Sequence, residues 1–146
     1  MTPAVATATL IRLRKLKSAS QPRWGHMTAP QMVQHCRLVS ESILNGSPVE
    51  RPATWREGLL KWVFLQIIGR LPRNIEQPPQ IRQAVAQQIT LLFEEELSRL
   101  MQTVKAFTEQ TEPNRRVHPV FGPLTTPEWG RFSWIHLNHH LTQFGV

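Results

Sequence analysis

The chain has 146 residues, of which 40% are hydrophobic, and it carries 17 Lys and Arg against ten acidic residues, all of them Glu. That length suits one domain burying roughly 70% of its unfolded surface, so a core forms without disulfides or a structural metal, and a metal found here would be functional. The single Cys36 excludes an intramolecular disulfide and a zinc-ribbon site, and no apolar run reaches the roughly 20 residues that cross a bilayer, so a soluble chain in the reducing cytoplasm is expected.

The net charge of +7 belongs to the N-terminus: residues 1 to 40 hold six Lys and Arg and no acid, whereas the remainder holds eleven against ten Glu. Residues 10 to 17, Leu-Ile-Arg-Leu-Arg-Lys-Leu-Lys, alternate basic and aliphatic side chains. Such a pattern suits a nucleic-acid arm, an acidic-membrane contact or an Arg-rich transit segment. It suits better a first helix or lead-in whose Leu and Ile dock on the body while its charges face water. Residues 1–22 are accordingly read as a basic N-terminal segment and residues 23–146 as the domain. The near balance of charge after residue 40 argues against nucleic acid as a partner.

Four segments of the domain have helical period and recognisable ends. The first opens at Thr28, an N-cap residue, with Pro30 in its first turn, and closes near Gly46. Its stripe is Met32, Val39 and Ile43, with Arg37 and Glu41 on the wet side and His35 about 50° from the stripe's middle, pointing inward. The second begins with the capping box Thr54-Trp55-Arg56-Glu57 and runs through Leu59, Leu60, Val63, Phe64, Ile67 and Ile68 to a stop before Pro72, apolar enough to be largely buried.

The third is expected from about Ile81 to Phe107, with Glu94, Glu95 and Glu96 preceding Arg99 on a solvated face. The fourth starts at Thr125 or Thr126, where Thr125 and Glu128 form another capping box, and ends at Gly145. Strand patterns are nearly absent, so the fold class is all-α, a four-helix bundle with a short basic N-terminal extension. The Pro-rich connections, 70–80 and 109–124, read as stiff crossovers.

Three of the six histidines lie in the last helix, His136, His139 and His140. At about 100° per residue, His136 and His140 project side by side, on the face that also carries Trp129, Phe132, Gln143 and Phe144. His139 falls at the boundary of that face. An i, i+4 pair of imidazoles is a metal clip, and a functional metal usually takes three protein ligands with a position left open. His35, the inward histidine of the first helix, supplies the third, making a tris-imidazole site in a bundle core.

These residues resemble a known family. Met27-Thr-Ala-Pro-Gln-Met-Val-Gln-His35, followed by His136-x-x-x-His140-x-x-Gln143, is similar to the DinB/YfiT-like four-helix bundles, whose divalent metal is held by that triad. The segments Trp24–Thr28, His118–Thr125, Glu128–Arg131 and His139–Gly145 resemble a bacterial branch of that superfamily known only as a domain of unknown function. The likeness runs from about Arg23 to the end. It implies an up-down-down-up bundle, a metal near one end, a homodimer, and relatives that are thiol transferases, isomerases and hydrolases. The Arg-Gly that usually follows the last ligand is Leu141-Thr142 here.

The functional expectation is a divalent-metal-dependent enzyme of hydrolase or thiol S-transferase type, acting on a small molecule. Zn or Ni suits the donor set, with Fe or Mn as alternatives. A non-catalytic bundle binding a metal or a partner is the competing reading, and binding of nucleic acid or an anionic surface through residues 10–23 a third. Candidate catalytic residues are Gln143, on the triad's face, and His118, in the loop before the last helix. Glu41, Glu57, Glu94 to Glu96 and Glu128 offer no clear general base. Cys36 reads as a buried inert thiol, and Trp24, Trp129 and Trp134 as core and cap residues.

Overall fold

The computed structural model describes residues 1–45, 51–73, 92–110 and 117–146, and is mostly helical. Helix α1 spans Pro3–Leu13, α2 Ala29–Asn45 and α3 Trp55–Trp62, which continues as a π-helix over Val63–Ile68; α4 is Phe93–Glu109 and α5 Thr126–Gln143. Two two-residue strands, β1 (Val117–His118) and β2 (Gly122–Pro123), pair antiparallel ahead of α5. A hairpin this short has no alternation for a sequence pattern to reveal.

Three helices start as their sequences dictate. Thr54 and Thr125 each accept from the backbone N–H three residues on, while the Glu57 and Glu128 side chains return to the capping backbone. Thr28 does the same with Gln31, whose Oε1 accepts from the Thr28 N–H at 2.9 Å. These caps fix where α2, α3 and α5 begin, and therefore which side chains each turns inward. The expected start of the third helix near Ile81 lies outside the described residues, but a continuous helix from there to Phe107 does not hold, because Leu92 is extended and precedes a helix that begins at Phe93.

The N-terminal segment docks on the body. Leu13 and Leu16 are buried with Met32, Leu100 and Leu141, and α1 packs on both α4 and α5. Arg12 turns inward: its Nε donates to the Val146 carbonyl at 2.9 Å and its Nη1 to Asn138 Oδ1 at 2.7 Å. Arg14, Lys15 and Lys17 stay in water. The side of α5 bearing Asn138 is thus met by Arg12 of α1, while Thr142 stays exposed.

Arg37 is not on a wet side: it is buried, where α2 packs on α4, and its guanidinium forms an ion pair with the equally buried Glu96 and another with Glu41 at 2.6 Å. Glu96 therefore leaves the solvated face assigned to the Glu94–Glu96 run, because a charge on the facing helix compensates its burial. Nor is the second helix largely buried. None of the α3 residues is, and in its continuation only Phe64 and Leu65 reach the core.

Two apolar clusters result. One joins α1, α2, α4 and the end of α5 through Leu13, Met32, Leu100 and Leu141; the other gathers Phe64, Phe121, Trp129, Phe132 and Ile135 around the start of α5. The inward histidines of α5 follow this second cluster along the helix.

Candidate metal centre

Helices α2 and α5 bring His35, His136 and His140 together. All three are buried, and one ring nitrogen from each lies within 4.8 Å of the others. The His35 and His136 Nε2 atoms are 3.0 Å apart, and the three ring centroids are separated by 4.8 to 5.0 Å. No other group of three potential metal ligands occurs among the described residues. The i, i+4 spacing on α5 sets one pair, and the packing of α2 on α5 sets the third member.

Gln143 determines how His140 presents itself. Its Oε1 lies 2.9 Å from His140 Nδ1, so that nitrogen carries the proton and Nε2 keeps its lone pair. The same amide donates from Nε2 to the Trp24 carbonyl at 2.7 Å, which fixes which end of the amide faces the histidine. Gly25 makes room for this bond: its backbone is left-handed at φ 78°, and a Cβ there would sit 2.7 Å from the Gln143 amide nitrogen. Neither Trp24's carbonyl nor Gly25 is chosen by helix periodicity; the Trp-Gly pair before α2 was their only sequence signal.

Burial keeps the triad neutral. It pushes the His35 pKa down to about 4, aided by the charge of His139, and that of His140 down to about 3, aided by the charge of His35. His136 is lowered well below the ordinary histidine value, again first by burial and then by its histidine neighbours. Neutral imidazole is the form that binds a metal.

The residues fit a cation. Metal–nitrogen bonds of about 2.0–2.1 Å place neighbouring imidazole nitrogens about 3 Å apart, as the Nε2 atoms of His35 and His136 are. Two like lone pairs at that distance repel. A shared proton relieves that one contact, whereas a cation would engage His35, His136 and His140 together once their ring nitrogens, within 4.8 Å of one another here, close to about 4.2 Å or less.

The other residues weighed from the sequence are placed elsewhere. His118 lies in the aromatic cluster, its ring 4.5 Å from Phe121 and 4.7 Å from Phe132 between centroids, and its Nδ1 accepts from the Val120 and Phe121 N–H groups. It reaches the triad only through Phe132, which stacks on His136 at 6.4 Å. Burial lowers its pKa to about 4. His139 packs edge-on against Trp24 at 6.0 Å, whose ring also lies under Arg73 at 4.4 Å.

Each carboxylate considered as a base, apart from the exposed Glu94 and Glu95, is engaged in a cap or an ion pair: Glu57 and Glu128 at helix starts, Glu41 and Glu96 with Arg37. Cys36 is buried, its thiol pushed well up by desolvation, with Sγ 3.7 Å from Met32 Sδ. It is inert packing. Trp129 is in the core, while Trp24 and Trp134 are half-buried.

Comparison with curated proteins and with solved structures gives no match for this chain. A family model described as "Protein of unknown function (DUF1569)" matches residues 4–145, a span that takes in α1 as well as the triad. The chain belongs to that family, DUF1569.

Proposed function

We propose that the chain is a DinB-like four-helix bundle, up-down-down-up, in which His35, His136 and His140 hold a divalent metal ion for chemistry on a small molecule. In this reading the bundle consists of α1, α2, α4 and α5, which share one apolar cluster, so the basic N-terminal segment is one of its helices, and α3 with its continuation belongs to the connection between α2 and α4. The observation that carries this reading is the convergence of three buried, neutral imidazoles within 4.8 Å, one of them oriented by a buried amide. Zn or Ni is the expected metal, with Fe or Mn as alternatives. Homodimerisation and a cytoplasmic setting complete the reading.

A divalent ion held by neutral ligands keeps its full charge, and supplies Lewis-acid polarisation of a carbonyl and acidification of a bound water or thiol. Hydrolysis or thiol transfer follows from that chemistry. The protein's own contribution is to exclude water from the triad and to hold His140 with its Nδ1 proton on Gln143. The test is turnover of a panel of esters, amides and thiol adducts by metal-loaded protein, stripped protein and His136→Ala. Activity confined to the loaded wild type is expected; activity that persists after stripping overturns the reading.

One observation favours a second reading, a non-catalytic bundle that binds a metal or a partner. Among the described residues no carboxylate joins the triad as a base. In that case His136→Ala lowers the melting temperature and no substrate of the panel turns over.

A further inference from the structure

Trp55, Leu59 and Trp62 stand at i, i+4 and i+7 on α3 and so share one face, which Leu60, Ile67 and Ile68 extend. These side chains are not core residues: Trp55 is 74% exposed, Ile67 64%, and the other four between 49% and 56%. The helix is amphipathic in reverse. Its wetter-looking residues Glu57 and Lys61 turn toward the body, where Lys61 pairs with Glu128 at 3.0 Å, while its tryptophans and leucines face out.

The rim of this face has one sign of charge. Residues 51–73 contain five basic side chains and one acid, Glu57, which is taken up by Arg51 at 2.6 Å and by its helix cap. Arg56 and Arg70 are exposed, and Arg56 lies 5.4 Å over the Trp55 ring. A two-fold pairing of this face with a second copy would set arginine rims of like charge against each other. An anionic lipid surface complements both features: indole rings with an apolar body and a polar N–H suit the headgroup boundary, and arginines beside them suit lipid phosphates.

We propose that α3 and its continuation form a peripheral docking surface for anionic bilayers, with Trp55, Leu59, Trp62 and Ile67 entering the headgroup boundary and Arg56 and Arg70 meeting phosphates. Docking is shallow, since no helix among the described residues is long and apolar enough to cross a membrane. The surface is distinct from the basic residues of α1 and from the histidine triad.

The test is co-sedimentation and tryptophan emission of the full chain with vesicles of phosphatidylglycerol and phosphatidylcholine at a ratio of about 3:7, against pure phosphatidylcholine. Binding to the anionic vesicles alone is expected, with a blue-shifted emission and a loss on adding salt. Arg56→Glu and Arg70→Glu should each weaken binding at least about fivefold. Leu59→Ser with Trp62→Ser should weaken it at least about tenfold, and Lys15→Glu with Lys17→Glu should leave it in place. These positions are exposed, so circular dichroism should be unchanged.

No binding at low salt overturns the proposal, as does binding unaffected by the Leu59 and Trp62 substitutions. A dimer that the same substitutions dissolve, without vesicle binding, gives the face to a second copy. Protection of the tryptophans from acrylamide in the free monomer gives it to the chain itself. Both outcomes contradict lipid docking.

Discussion

His35 of α2 and His136 of α5 place their Nε2 atoms 3.0 Å apart across 101 residues of chain. Between two buried, neutral rings this contact is one Nε2–H···N hydrogen bond when either ring carries its proton there, and a repulsion of lone pairs, which a cation would relieve, when neither does. The rest of the site is arranged around it. His140 joins one turn further along α5, and Gln143 sets the tautomer of His140.

Gln143→Leu removes the acceptor for the His140 Nδ1 proton and should weaken metal binding about 10- to 100-fold, measured by competition with a chelating dye. Gln143→Glu keeps an acceptor at that place and should lose less, although the bond to the Trp24 carbonyl goes. Equal affinities for wild type and Gln143→Leu would remove Gln143 from the site.

The buried Arg37–Glu96 pair should behave asymmetrically. Arg37→Met leaves the Glu96 carboxylate uncompensated in the interior and should cost about 3–5 kcal/mol in urea unfolding. Arg37→Met with Glu96→Leu should recover most of that loss, because both desolvation penalties vanish. A double variant as unstable as the single one would mean that the pair is worth more than its desolvation.

His118 gives the stability a pH dependence of definite sign. Its folded pKa is lowered to about 4 by burial, against about 6.5 for a free histidine, so the unfolded chain binds more protons between those values. Its contribution is complete above pH 6.5 or so and declines as the pH falls toward about 4. Protonation would also turn Nδ1 from the acceptor of the Val120 and Phe121 N–H groups into a donor. His118→Phe should flatten the acid limb of urea midpoints taken across this window; an unchanged limb would assign the loss to other groups.

Much of the site was legible because helical period fixes direction. The caps at Thr28 and Thr125 set the phases of α2 and α5, and with them the inward aim of His35, His136 and His140. What period does not encode is the neighbour that covers a face. Arg37 looked solvent-facing until α4 supplied Glu96, and the apolar residues of α3 looked like core although they lie outside it. The hold on Gln143 from the Trp24 carbonyl depends on a loop packing against a helix 119 residues away, which no local pattern specifies.

The most direct test of the centre is elemental analysis of the purified, untagged protein beside the His35→Ala, His140→Ala double variant. The geometry predicts about one divalent metal per chain in the wild type and none in the variant, with both retaining helical circular dichroism. A wild type that stays metal-free after reconstitution with Zn, Ni, Fe and Mn would contradict the metal centre.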